Sequence, residues 1–221
     1  AYFFLLPSVL ASQVYPSEGG MSDFSARTEE QWALRQFIAS KYAIQHVEVE
    51  RVVSGTGLAN VYDFYWHQAV ESLGAEAAAQ THGATQRLVA AASEPAAVIA
   101  AHAVRGAEGS DELCCKSLDL FLECLGGEAG NVALRCLPRG GVLLGGGGVV
   151  PKLLQHIVGG RVAAAYLSKG VTTDAYRGIP LLALEVSGDE LGQLGAWQHA
   201  WQLHSGHERQ PLPPSRLTSR P

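Results

Sequence analysis

The most constraining feature of the sequence is the stretch from Asp111 to Leu137, which predicts one long helix that is apolar on nearly every side. A helix that is apolar all round is buried all round, so we expect this helix at the centre of the fold. It contains Gly126, Gly127 and Gly130, although a glycine in a helix interior costs roughly 1 kcal/mol relative to alanine. These glycines are explained if another backbone packs closely against the helix there.

The four cysteines fall within the same stretch, as Cys114, Cys115, Cys124 and Cys136. They form no Cys-x-x-Cys pair, and no histidine stands at ligand spacing from them. Adjacent Cys114 and Cys115 cannot both face one partner on a helix. We therefore expect buried thiols in a reducing compartment rather than a metal site or disulfide bonds.

Composition narrows the class of protein. The 221 residues carry 16 Lys and Arg against 21 Asp and Glu, a formal net charge of −5. This balance, without a basic cluster, argues against nucleic-acid binding. A hydrophobic content of 47% excludes disorder for most of the chain. No apolar run is long enough to span a membrane, because glycines interrupt the longest, 142–150. We expect a soluble, globular protein of the cytoplasm.

Strands and helices are predicted along the chain as far as residue 204. Tyr2–Leu6 and Gln13–Tyr15 indicate a hairpin, and the capping box 28–31 begins the first helix. Further helices are predicted at 49–53, 58–72 and 189–203. The alanine-rich segment 74–107 is predicted to form short helices with breaks at Gly83 and Pro95. Strands are predicted at 142–144 and 179–186. Because residues 205–221 carry four prolines without periodicity, we expect one domain over 1–204 and a disordered tail.

A tight glycine turn connects the strand 142–144 to the next helix, and it consists of Gly145, Gly146, Gly147 and Gly148. Glycines let a backbone approach a ligand closely, and a helix N-terminus favours anionic groups. The turn is not a Walker A loop, because no Gly-Lys-Ser/Thr follows, and the spacing of GxGxxG is absent. The residues alone leave two interpretations open, a plain tight turn and a nucleotide site.

Three acidic residues, Glu18, Asp23 and Glu50, are candidates for a polar site. Glu18 lies in a loop and is followed by two glycines, and Glu50 comes shortly before the turn 54–57. Carboxylates accept hydrogen bonds from sugar hydroxyls and also act as acids or bases. The alternative is that all three are solvated surface acids, with Asp23 capping local backbone, and spacing alone favours this alternative.

Two long motifs stand in an order that is typical of one protein family. Residues 16–24, Pro-Ser-Glu-Gly-Gly-Met-Ser-Asp-Phe, are similar to the loop Pro-Gly-Glu-Gly-Gly-His-x-Asp-Phe. Residues 46–62 are similar to His-Val-x-x-Glu-Arg-Val-Leu-Ser-Gly-x-Gly-Leu-x-Asn-Leu-Tyr. Shorter matches follow in order at 130–134, 140–144, 150–152, 179–180 and 189–192. Over nearly all of residues 13–200 the chain resembles the bacterial-type glucokinase family.

The resemblance implies a fold of the actin, hexokinase and heat-shock ATPase superfamily, in which two α/β domains flank a cleft. This chain would be the C-terminal, large domain, an α/β domain of ribonuclease H-like and actin-like ATPase type with a mixed sheet flanked by helices. Glu18 and Glu50 are implied to bind glucose hydroxyls, and Gly145–Gly148 to border the adenosine of ATP, which binds with Mg²⁺. The implied reaction transfers the γ-phosphoryl group of ATP in line to the 6-hydroxyl of glucose.

The chain also departs from the family. Met21 stands where the sugar loop has His, and the loss of that hydrogen bond is expected to weaken sugar binding by roughly 0.5–1.5 kcal/mol. The phosphate loops Asp-x-Gly-Gly-Thr and Gly-Thr-Gly-Leu-Gly, and the Asn-Asp pair that carries the catalytic base, are expected upstream of residue 1. The N-terminal domain and first strand would then be missing, and this chain alone would hold no catalytic residue, no metal ligand and no activity.

A second hypothesis is a catalytically inactive, glucokinase-derived domain that serves as a sugar-binding, scaffold or assembly subunit. Met21 and a glycine turn one residue longer than usual favour it, whereas Glu18, Glu50 and the motif 54–62 favour the enzyme.

The strand edge at Tyr2–Leu6 is expected to aggregate or to need a covering partner. Similar glucokinases are commonly homodimers.

Overall fold

The computed structural model describes residues 4–8, 11–104, 106–146, 148–185 and 188–204. Within these ranges the strands are β1 (Phe4–Ser8), β2 (Ala11–Tyr15), β3 (Val142–Leu144) and β4 (Leu181–Ala183). The helices within the same ranges are α1 (Glu29–Tyr42), α2 (Gly55–Leu73), α3 (Ala75–Ala91), α4 (Pro95–His102), α5 (Glu112–Cys136), α6 (Val149–Ile157), α7 (Arg161–Leu167), α8 (Thr173–Tyr176) and α9 (Gly188–His204). The predicted tail 205–221 lies outside the described residues, so its disorder and the domain boundary stay predictions.

The centre of the molecule is α5, as the apolar stretch predicts. More than half of its residues are buried, and it packs against α2, α4 and α7. A Cβ atom on Gly126 would lie 2.9 Å from the Cβ of Ala165 and would also meet the carbonyl oxygen of Val162. One on Gly130 would lie 2.7 Å from the carbonyl oxygen of Tyr166. The prediction of a close backbone neighbour is therefore confirmed, and that neighbour is α7.

The third glycine of α5 makes room for a side chain instead of a backbone. A Cβ on Gly127 would lie 2.8 Å from the guanidinium carbon of Arg27. That guanidinium donates hydrogen bonds to the carbonyl oxygens of Glu123, at 3.1 Å, and Ala165, at 3.3 Å. Arg27 thus ties the segment before α1 to both α5 and α7.

Helix ends follow the capping signals. The Thr28 hydroxyl accepts a hydrogen bond from the amide of Gln31 at 3.1 Å, and the Gln31 side chain accepts one from the amide of Arg27. Pro95 is the first residue of α4, and Pro151 lies in the first turn of α6, where a missing donor costs no intrahelical bond. The predicted capping box at 28–31 and the predicted break at Pro95 are confirmed.

The predicted break at Gly83 is wrong, because α3 runs through it from Ala75 to Ala91. Gly83 is buried together with Ala78 and Val89, on a helix that packs against α2 and α4. Burial of this face stabilises the helix by more than one glycine costs it.

The cysteine prediction is correct for three thiols and wrong for one. Cys114, Cys115 and Cys124 are buried, and burial raises the pKa of the Cys114 and Cys124 thiols to about 12. Cys136 is exposed, because it is the last residue of α5, beyond the part of the helix that the core covers.

The strands form two small sheets within the described part of the chain. β1 and β2 pair in antiparallel fashion with Phe4 opposite Tyr15, which confirms the hairpin, although Tyr2 and Phe3 lie outside the described residues. β3 and β4 pair in parallel with Val142 opposite Leu181. Of the second predicted strand, 179–186, the described residues form a strand only over Leu181–Ala183, because β3 offers three residues for pairing. Residue 186 lies outside the described residues. None of the described helices combines the length and apolar character that crossing a membrane requires.

Candidate functional site

The first long motif and the start of the second form two adjoining turns. Residues 16–24, called loop 16–24 below, contain a 3-10 turn over Gly19–Met21, and residues 46–53 contain another over Val49–Arg51. The first turn is fastened by the hydroxyl of Ser22, which donates to the carbonyl oxygen of Gly19 at 2.6 Å.

Backbone hydrogen bonds join the two turns. The amide of Phe24 donates to the carbonyl oxygen of Val47 at 2.8 Å, and the amide of Val49 donates to the carbonyl oxygen of Ser22 at 2.9 Å. Phe24, Val47 and Val49 are buried, so apolar packing supports these bonds. The two motifs, separated by α1 in the sequence, are thereby held side by side.

This pairing brings Glu50 onto the loop that carries Glu18. A Cβ on Gly20 would lie 3.2 Å from Oε2 of Glu50, so the absence of a side chain at Gly20 lets this carboxylate approach the loop backbone. Glu18 and Glu50 are both exposed. Within the described part of the chain, neither carboxylate forms a hydrogen bond or an ion pair. Two negative groups on adjoining turns are therefore available as hydrogen-bond acceptors.

Met21 and Asp23 belong to the same loop. Met21 is 45% exposed, and Nε2 of the His46 ring lies 2.8 Å from the Met21 backbone carbonyl oxygen. Nδ1 of His46 lies 2.8 Å from Oδ1 of Asp23. The Asp23 side chain is 72% exposed, as the surface-acid alternative expects, but its partner is a side chain of the second motif rather than local backbone. His46 belongs to the second motif, but nothing in the sequence pattern indicates this role.

The turn that carries Glu50 is held from behind by Asn60, a buried residue of α2. Its Nδ2 donates to the carbonyl oxygen of Arg51 at 3.0 Å. Its Oδ1 accepts from Lys41 Nζ at 2.9 Å and from the Tyr42 hydroxyl at 2.8 Å. Asn60 therefore connects the end of α1 to the turn that presents Glu50, another role that sequence reasoning missed.

The start of α2 shows why its motif needs glycine and serine. The Ser54 hydroxyl accepts a hydrogen bond from the amide of Gly57 at 2.9 Å and so caps the helix. A Cβ on Gly57 would lie 2.9 Å from the Cα of Val52 and would also meet its carbonyl group, so only glycine fits there.

The predicted glycine turn leads into α6. A Cβ on Gly145 would lie 3.0 Å from the Leu184 side chain, whereas one on Gly146 or Gly148 would meet nothing within 4 Å. Gly146 has a φ of +122°, a region that favours glycine. Gly147 lies outside the described residues.

This turn ends close to the motif that begins α2. Gly148 caps α6 without a side-chain hydrogen bond, and the next residue, Val149, has its Cγ2 3.9 Å from a Cβ position on Gly55. The amino-terminal ends of α2 and α6 are therefore neighbours. In the described residues there is no group of three or more His, Cys, Asp or Glu side chains that could hold a metal ion.

Known proteins that are similar to this chain are glucokinases, the family that the motifs at 16–24 and 46–62 resemble. The family model described as glucokinase matches residues 4–203. Glucokinase of a Nostoc species is 35% identical over 199 residues, which cover 87% of this chain and 55% of that protein. Glucokinase of a Synechocystis species is 33% identical over 186 residues, with coverages of 83% and 51%.

Two solved structures share the fold. One is a glucokinase from an Antarctic psychrotroph, with a TM-score of 0.60, 22% identity, and coverage of 89% of this chain and 53% of that one. The other is glucokinase from Balamuthia mandrillaris in complex with glucose, with a TM-score of 0.59, 22% identity, and coverages of 81% and 45%. The predicted α/β, actin-like ATPase fold class is therefore confirmed.

These matches cover most of this chain but only part of each relative. The chain spans about half the length of the curated relatives that it matches. Within this chain, the glucokinase family model extends over the described elements from β1 to α9. The chain belongs to the glucokinase family.

Proposed function

We propose that this chain is the glucose-binding large domain of a glucokinase, an enzyme that phosphorylates glucose at its 6-hydroxyl with ATP. The observation that carries the proposal is the pair of exposed carboxylates, Glu18 and Glu50, on two turns joined by backbone hydrogen bonds. Glucose presents several hydroxyl donors around its ring, and carboxylates accept hydrogen bonds from such donors. Glu18 and Glu50 would hold and orient the sugar.

The glycine turn 145–148 supports a nucleotide site. Open space at Gly146 and Gly148 allows a ligand to approach the backbone, and the α6 amino terminus offers amide donors without a side-chain cap. We assign the adenosine of ATP to this turn, beside the start of α2. ATP supplies the phosphoryl group, and no residue of the described chain is assigned to Mg²⁺.

Positioning is the contribution that this chain would make to catalysis. In-line phosphoryl transfer depends on alignment of acceptor and donor, on charge neutralisation and on a carboxylate that takes the hydroxyl proton. Glu18 and Glu50 are assigned to the sugar, so neither is available as that base. We therefore expect the 221-residue chain alone to bind glucose without phosphorylating it.

The proposal is tested by titration calorimetry of the purified chain with glucose. A hydrogen bond to a charged group contributes about 1.5–3 kcal/mol, so Glu50→Gln and Glu18→Gln should each raise the glucose Kd by about 10- to 100-fold. Glu71→Gln is the matched control, because Glu71 is an exposed carboxylate of α2, away from both turns. Mannitol should not bind.

Two outcomes would contradict the proposal. Equal glucose affinity in wild type, Glu18→Gln and Glu50→Gln would remove both carboxylates from the sugar site. Phosphorylation of glucose by the 221-residue chain, at a rate well above that of Glu18→Gln, would contradict the absence of a base. If neither glucose nor ATP raises the melting temperature, the scaffold hypothesis is favoured instead.

A further inference from the structure

His46 bridges two points of the loop that carries Glu18. Its Nδ1 lies 2.8 Å from Oδ1 of Asp23, and its Nε2 lies 2.8 Å from the carbonyl oxygen of Met21. Met21 ends the 3-10 turn that follows Glu18, and its amide donates to the carbonyl oxygen of Glu18 at 2.9 Å. The ring is therefore two hydrogen bonds away from the backbone of a proposed sugar-binding residue.

Both groups that the ring contacts are acceptors. A carboxylate and a backbone carbonyl have no proton to donate, and a neutral imidazole has only one N–H. Both contacts can be hydrogen bonds only if both ring nitrogens carry a proton, which makes His46 an imidazolium. In the neutral form one of the two contacts becomes a repulsion between lone pairs.

The charges around His46 favour the protonated form. Two carboxylates face it, Asp23 from loop 16–24 and Glu48 from its own segment, and the Arg51 guanidinium is paired with Glu48 at 2.5 Å. The hydrogen bond to the Met21 carbonyl and the one to Asp23 raise the pKa of His46 above 6.5. Geometry and charge thus agree on a protonated ring.

We propose that His46 is a positioning residue whose protonation fastens the loop bearing Glu18 and so strengthens glucose binding. The effect on glucose binding rests on the proposed function, whereas the fastening of the loop rests on the contacts of His46 with Asp23 and Met21. Because the pKa is raised in the folded protein, the stabilisation of the loop is fully present below pH 6.5. It is lost as pH rises through the folded-state pKa of His46.

The first test needs no sugar. The ring nitrogens of His46 are followed by NMR in the 221-residue chain between pH 5 and pH 9, together with amide exchange of loop 16–24 corrected for intrinsic rates. We expect a higher titration midpoint in wild type than in Asp23→Asn. Protection of the loop should fall as the ring deprotonates. An unchanged midpoint in Asp23→Asn, or pH-independent protection, would overturn the proposal.

The second test measures glucose binding over the same pH range. The Kd of wild type should rise several-fold as His46 loses its proton, whereas His46→Gln should bind weakly with a flat profile. His67→Gln is the matched control, because His67 is similarly exposed, with a carboxylate 3.4 Å away, but lies on α2. Reciprocally, saturating glucose should raise the His46 midpoint.

The two tests separate this proposal from the proposed function. If glucose does not bind at any pH but protection of loop 16–24 falls as the His46 ring loses its proton, the proposed function fails and the role of His46 in fastening the loop stands. If glucose binds with the same pH profile in wild type and His46→Gln, the proposed function stands and this proposal fails.

Discussion

A single methyl group placed between α5 and α7 tests the packing on which the fold depends. Gly126→Ala adds a Cβ that would lie 2.9 Å from the Cβ of Ala165 and against the backbone carbonyl of Val162. The chain also offers a matched control. Gly83→Ala adds the same atom to the middle of α3, where its nearest neighbours are Arg87 Nη1 at 3.5 Å and Ala79 Cβ at 3.6 Å, which are ordinary contacts.

The two substitutions should have opposite signs. Alanine is favoured over glycine in a helix by about 1 kcal/mol, so Gly83→Ala should stabilise the protein by roughly 0.5–1 kcal/mol. At Gly126 the obstacle is backbone, which cannot rotate away, and overpacking of this kind costs about 1–3 kcal/mol. Because the obstacle is this close and is backbone, we take the upper part of that range, about 2–3 kcal/mol, and subtraction of a helix preference of about 1 kcal/mol leaves a destabilisation of about 1–2 kcal/mol for Gly126→Ala.

The measurement is urea unfolding followed by circular dichroism at 222 nm, supported by thermal melts. For a chain of this length 1 kcal/mol corresponds to about 2–4 °C, so the melting temperature of Gly126→Ala should fall by about 2–8 °C. That of Gly83→Ala should rise. If Gly126→Ala is as stable as Gly83→Ala, α7 does not lie against α5 as described, and the reasoning is refuted.

Two further predictions concern α5. The buried Asp111 carboxylate caps the helix by accepting hydrogen bonds from the amides of Leu113 and Cys114, and it pairs with His82 at 2.9 Å. Measured by urea unfolding, Asp111→Ala should therefore lower the free energy of unfolding by about 2–4 kcal/mol, and Asp111→Asn should lower it much less. Equal losses in the two variants would contradict a capping role. In the native protein at pH 8 a thiol reagent should modify Cys136 rapidly and the buried Cys114 slowly, and rapid reaction of more than one thiol would contradict the burial.

Local signals in the sequence predicted the elements that local chemistry determines. The Thr28 hydroxyl and the position of Pro95 begin helices for reasons contained within a few residues. The three glycines of α5 also predicted a close neighbour, because their cost demands a compensating contact. The neighbour itself, α7, could not be predicted, since nothing in the sequence near Gly126 specifies which backbone approaches it.

Predictions failed where distant packing or position in the fold decides the outcome. The cost of Gly83 is local, but the burial that offsets it comes from α2 and α4, so a break was predicted where the helix continues. Cys136 has the same apolar context as the other cysteines, yet it lies at the end of α5, beyond the core.

The candidate site shows the same division. From the residues alone, Glu18 and Glu50 are carboxylates near turns, for which surface acids are the better interpretation; the sugar-binding role is implied only by the family resemblance. What the structure adds is a backbone pairing between residues 22–24 and 47–49, which brings the two turns together. No side-chain pattern encodes such a pairing, because main-chain groups are the same at every position. His46 is recognisable only through that pairing, since its two acceptors, Asp23 and the Met21 carbonyl, belong to the other turn.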